Sequence, residues 1–255
     1  MTRTRPTERH RGVEGMSLEP AEVRDMVLGR RRRRRAVLVS AVAAVGLAVA
    51  ALLGAGLVRA NDTDPGEAPA KAPAGATQDK TGIAASEGAV RVDLYLDYLC
   101  PECRNTERSL SGELEALKEK GAVRLVYHPV AFLDGYSKPA GYSTRAASAA
   151  ACAADAGRFE EYTKVLFEKQ PAERGPGLSE RQLVLLGEEA GIEDASFGSC
   201  VRGAAHKPWV TYVSDVAAAD GVSLTPTVMV DGERVDVTGG DAAGKLARAV
   251  AKARR

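Results

Sequence analysis

An apolar, β-branched stretch at residues 89–99, AVRVDLYLDYL, runs straight into Cys100-Pro101-Glu102-Cys103, and a helical pattern begins at the same place. This junction restricts the fold more than any other feature of the chain. The Val, Leu and Tyr content of 89–99 reads as a strand. Leu110, Leu114 and Leu117 recur at helical spacing behind the cysteines, and Gly121 supplies a stop. Cys100 then sits at a helix N-terminus, with Cys103 one turn inside.

That placement has chemical consequences. Free backbone N–H groups and the positive end of the helix dipole stabilise a thiolate on Cys100. The thiolate is the nucleophile in disulfide exchange. The i, i+3 spacing brings Cys103 close enough to resolve a mixed disulfide formed by Cys100. Pro101 fits the first turn, where its missing N–H costs little. Glu102 acts in two directions: its charge raises a nearby thiol pKa, yet suits a helix N-terminus.

Other readings of a Cys pair compete. A zinc half-site needs two more ligands. The remaining cysteines, Cys152 and Cys200, lie 49 and 97 residues beyond Cys103, and His10, His128 and His206 are scattered. The pattern therefore predicts no metal and no cofactor. A permanently oxidised structural pair is the bland alternative.

The compartment follows from residues 36–58, AVLVSAVAAVGLAVAALLGAGLV, which contain no charge. As a helix they reach roughly 35 Å, enough to span a hydrocarbon core. Six arginines at 30–35 precede them; residues 1–35 hold eleven Arg against five acids. The positive-inside rule makes 1–35 a cytoplasmic basic tail and 36–58 a single transmembrane helix, with the rest outside. A cleaved signal peptide ending near Val58-Arg59-Ala60 is the rival reading. Both leave the remainder extracytoplasmic, where disulfides persist. The net charge of +1 speaks against a nucleic-acid binder with a broad basic surface.

Residues 59–88, rich in Ala, Pro, Gly and charge, read as a flexible linker. The folded domain is placed at 89–255. A second strand is expected at 122–133. A long Ala-rich helical region follows at about 137–219, then a hairpin at 225–237 around Asp231-Gly232, and an amphipathic helix at 241–253. The order implies an α/β sheet with a helical insertion.

Three features in this order resemble the DsbA-like thioredoxin-fold thiol–disulfide oxidoreductases, in their membrane-anchored actinobacterial form. They are a strand running into Asp97-x-x-Cys100-Pro-x-Cys103, the stretch FEEYTKVLFEKQ at 159–170, and GVSLTPTVMVDG at 221–232. The resemblance implies catalytic roles for Cys100 and Cys103. It makes Pro226 a cis-proline facing them, with Thr225, Pro101 and Glu102 shaping the substrate site. If Cys100 and Cys103 are the redox pair, Cys152 and Cys200 remain for a structural disulfide, as in some members of the family; a second relay pair is the functional alternative. The implied partners are secreted or cell-envelope proteins bearing thiols or disulfides, and a membrane redox partner for recycling. Oxidase, reductase and isomerase all work on this scaffold, and a tethered chaperone-like or metal-handling module is the reading from another class.

One position departs from the family pattern. The acid that many thioredoxin-fold enzymes bury six residues before the nucleophilic Cys is Leu94 here. Asp97 is the nearest acid, with a turn, a cap or proton transfer as its readings. His128 reads as a packed or loop residue, and Trp209, Tyr212 and Val213 as helical core. Tyr95, Tyr98 and Tyr136 fit either a peptide groove or the core.

Overall fold

The computed structural model describes residues 65–255. The basic tail at 1–35, the transmembrane segment at 36–58 and the first residues of the linker lie outside the described residues. Among the described residues, no helix is long and apolar enough to cross a membrane.

Five strands form one mixed sheet: β1 (Ile83–Ala84), β2 (Val90–Leu96), β3 (Val123–Pro129), β4 (Thr227–Val230) and β5 (Glu233–Arg234). Their spatial order is β1-β3-β2-β4-β5. Only β2 and β3 run parallel, joined by helix α1 (Pro101–Glu119). Both are buried along nearly their whole length, as expected of central strands covered on two faces. β4 and β5 form the predicted hairpin, with Asp231 and Gly232 both at positive φ. Helix α7 (Ala242–Ala253) closes the chain and packs on α1.

The insertion comprises α2 (Tyr142–Asp155), α3 (Phe159–Glu168), α4 (Glu180–Glu189), α5 (Ala195–Arg202) and α6 (Lys207–Ala219). Helix α2 is its hub and touches each of the other four. Its alanines explain this: Ala146, Ala147, Ala149, Ala150, Ala151 and Ala153 have no exposed surface, and small side chains let neighbouring helices approach closely. A disulfide joins Cys152 in α2 to Cys200 in α5 across 48 residues. Closing a loop of that length stabilises the fold by about 4 kcal/mol on the chain-entropy estimate.

The linker expectation needs correction at its C-terminal end. Residues 76–85 are part of the domain. Thr77 and Ile83 are buried, and β1 pairs antiparallel with β3. The Trp209 indole donates to the carbonyl of Lys80 at 2.7 Å. Gly82 permits the close approach: a Cβ there would stand 2.6 Å from Val126 Cγ1 and 2.7 Å from the Tyr127 carbonyl. A two-residue strand with one large apolar side chain gives no periodic signal, so composition alone reads it as tether.

Of the two readings for His128, packed or exposed loop, the packed one holds. It lies in β3, fully buried, with Nε2 2.7 Å from Asp93 and Nδ1 2.8 Å from the Thr81 carbonyl. Its ring stacks on Tyr95 at 4.2 Å. Tyr95 and Tyr98 are core residues, and Tyr98 shares a hydrogen bond with Thr163. Tyr136 is exposed. Trp209 and Val213 are buried in α6 as helical core.

Candidate active site

The Cys pair lies where β2 hands over to α1. Cys100 is the N-cap of α1 and Pro101 its first helical residue. The amides of Cys103 and Arg104 donate back to the Cys100 carbonyl at 3.1 and 3.3 Å. Both cysteines are free thiols. Cys103 has no exposed surface, whereas Cys100 keeps 6%. Of the two, only Cys100 offers any surface to an incoming sulfur.

The two thiols differ electrostatically. A hydrogen bond from the Cys103 thiol is the largest influence on Cys100. Burial opposes it. The Cys103 and Glu102 amides and the Thr225 side chain add to it, and the Cys100 thiol is lowered to about 7. Cys103 moves the other way. Burial is the main cause, reinforced by the partner thiolate, and its thiol lies well above the ordinary value. Cys100 thus ionises near neutral pH, while Cys103 stays a protonated donor beside it. The Glu102 side chain is exposed and accepts a hydrogen bond from Asn105 at 3.4 Å, so its charge faces solvent.

Thr225 and Pro226 approach from the loop before β4. Their peptide bond is cis. The Cys100 thiol donates to the Thr225 carbonyl at 3.4 Å, across 125 residues of chain. Leu224, just before them, is 67% exposed, so the loop offers both backbone and an apolar side chain beside the reactive sulfur.

Asp97 is fully buried behind the pair. Its amide donates to Cys103 Sγ at 3.4 Å. Its carboxylate accepts from the Leu99 amide at 2.8 Å, the Leu133 amide at 2.9 Å and the Ser143 hydroxyl at 2.6 Å. Burial outweighs these bonds and pushes the carboxyl up to about 6. The turn reading is therefore observed, and the same side chain also ties β2 to the insertion. Leu94 points into the core.

Gln170, just past α3, completes the site. Its side-chain amide donates to the carbonyls of Tyr98 and Cys100 at 3.0 and 2.9 Å. The sequence places it at the end of the Leu-Phe-x-x-Gln stretch but gives it no role, because the contact spans 70 residues.

A family model described as "Thioredoxin" matches residues 78–245. The chain belongs to the thioredoxin family. Solved structures similar to this thioredoxin-family fold include DsbA-like proteins. The reduced disulfide-bond oxidoreductase DsbG of Mycobacterium tuberculosis is 32% identical with a TM-score of 0.57, covering 66% of this chain and 85% of that one. Oxidised DsbA of the same organism is 34% identical with a TM-score of 0.55, covering 63% and 81%. The thiol–disulfide oxidoreductase MdbA of Actinomyces oris, at 20% identity and a TM-score of 0.59, shares the fold and covers 74% and 95%. Among curated sequences, the serine/threonine-protein kinase PknE of M. tuberculosis is 27% identical over 167 residues, 62% of this chain. The chain spans only 29% of that kinase's length.

Proposed function

We propose that this chain is an extracytoplasmic thiol–disulfide oxidoreductase that forms disulfides in secreted or cell-envelope proteins through Cys100 and Cys103. The enzyme class is the one named for its DsbA-like relatives. The observation that carries the reading is the asymmetric pair: a depressed Cys100 thiol that keeps a little exposed surface beside a fully buried, elevated Cys103, with the Thr225 carbonyl at hydrogen-bond distance.

The oxidative cycle starts from the Cys100–Cys103 disulfide. A substrate thiolate attacks Cys100 Sγ, and Cys103 departs with the electron pair. A second substrate thiolate then attacks the substrate sulfur of the mixed disulfide. Cys100 departs as thiolate, and its lowered pKa makes it the better leaving group. The substrate gains a disulfide and the enzyme holds two thiols. A membrane redox partner reoxidises them. The cis loop at Thr225–Pro226 presents backbone for an extended substrate segment to pair with, as in strand addition. Anchoring by residues 36–58 keeps the domain at the outer membrane face.

Replacing Cys103 with Ser tests the reading. Mixed disulfides with several secreted proteins should accumulate on Cys100; none at all, together with no activity of the unsubstituted protein in oxidative refolding, would defeat it. The reduction potential of the pair tests direction: near about −120 mV marks an oxidant and near about −270 mV a reductant.

A further inference from the structure

A second sulfur centre lies within the helical insertion. Cys152 lies in the last turn of α2, Cys200 sits in α5, and His206 caps the start of α6. The two sulfurs and a ring nitrogen of His206 all lie within 4.8 Å of one another. Among the described residues this is the one such grouping of three potential metal ligands. Structural disulfides need no histidine, so the ring calls for an explanation.

Its hydrogen bonding supplies one. His206 has no exposed surface. Nε2 lies 2.6 Å from Asp155 Oδ2. A carboxylate only accepts, so Nε2 carries a proton, and in the neutral ring Nδ1 then presents its lone pair. That Nδ1 is buried and has no hydrogen-bond partner, an arrangement that costs free energy unless something fills the lone pair. Asp155 is itself held by the Ala74 amide at 2.8 Å. Carboxylate, imidazole and open ring nitrogen in series are the outer-shell arrangement that orients a metal-binding histidine.

We propose that, once the Cys152–Cys200 disulfide is opened, Cys152, Cys200 and His206 Nδ1 bind one Zn2+, with Asp155 orienting the imidazole. Two thiolates and one neutral imidazole form a tetrahedral zinc site that leaves the fourth position for water. Softness of the sulfur ligands selects zinc over magnesium or calcium. The reductant is a dithiol. It delivers two electrons and two protons to the disulfide and leaves as its own cyclic disulfide; Zn2+ then displaces the two thiol protons to solvent. Cys200 is only partly buried, which gives the reductant and the metal a route in. The ion would hold α2, α5 and α6 together when the covalent link between α2 and α5 is gone.

The test uses the untagged full chain carrying Cys100→Ser and Cys103→Ser, so that only the second pair can bind metal. Co2+ serves as the optical probe and Zn2+ as its competitor. Reduced protein should bind one Co2+ with tetrahedral ligand-field bands and sulfur-to-cobalt charge transfer, both bleached by Zn2+. The oxidised form should stay silent. Asp155→Asn should weaken binding about tenfold or more, and His206→Gln at least as much. Circular dichroism and thermal melting follow the fold in parallel. If reduction unfolds the chain, recovery of a cooperative melt on adding Zn2+ supports the site, and failure to recover overturns it. A folded, reduced protein that binds no metal, or an His206→Gln variant that binds equally well, also overturns it.

Discussion

The side-chain amide of Gln170 donates to the main-chain carbonyl of Cys100 at 2.9 Å, so a residue just past α3 of the helical insertion holds the backbone of the first cysteine of the pair. The same amide reaches the Tyr98 carbonyl, which fixes both ends of the turn that delivers Cys100 to α1. Replacing Gln170 by Ala leaves these carbonyls short of a donor, at a cost of about 1–3 kcal/mol. In a domain of this size each kcal/mol lowers the melting temperature by about 2–4 °C. Thermal melts and the rate of mixed-disulfide formation should both fall. An unchanged exchange rate would show that the clamp does not position Cys100.

Thr225 lowers the Cys100 thiol through its side chain, while its carbonyl accepts from the same sulfur. Alkylation of Cys100 in the reduced protein should rise with pH through a midpoint near 7. Thr225→Val keeps the carbonyl and removes the hydroxyl, so the midpoint should move upward. In Cys100→Ser, Cys103 should still resist alkylation at neutral pH, because burial, the largest cause of its raised thiol, remains after the Cys100 contribution is gone.

Asp97 makes a pH-dependent contribution opposite in sign to that of an ordinary ion-paired carboxylate. Its carboxyl is raised from 3.8 to about 6 by burial, so the folded state holds the proton more tightly than the unfolded chain. The stabilisation is fully present below the unfolded value and is lost as pH rises through about 6. Between neutral pH and pH 4 the wild type should gain up to roughly 3 kcal/mol over Asp97→Asn. Asp93 runs the other way: burial raises it, but His128 and Arg91 more than compensate, so its carboxyl is lowered. The readout is therefore the difference between the two proteins in urea unfolding across pH, in which the other groups cancel. A pH-independent difference would mean that Asp97 does not titrate as an isolated buried acid.

Gly82 fixes the docking of residues 76–85 on β3. An Ala side chain there meets Val126 and the rigid Tyr127 carbonyl. Gly82→Ala should cost about 1–3 kcal/mol through overpacking, and it should open this segment to limited proteolysis before the rest of the domain unfolds. Wild-type resistance in the variant would place the segment's stability elsewhere.

The sequence by itself determined what local rules can reach. The strand before Cys100, the amphipathic α1 with its Gly121 stop, the Asp231-Gly232 hairpin and the closing helix all follow from periodicity and turn chemistry within a few residues. Cys100 at the helix start needed no more than these. The tertiary structure alone decided what stands against that cysteine. Thr225 arrives from 125 residues away, Gln170 from 70, and Ser143 and Leu133 close over Asp97 from the insertion side. It also decided that Ile83 joins a sheet and that His206 faces the Cys152–Cys200 pair. The physical reason is the same in each case. Backbone conformation responds to neighbouring residues in the chain, but the proton affinity of a side chain and the partner of a buried polar atom depend on which groups are packed around it, and those come from anywhere in the fold.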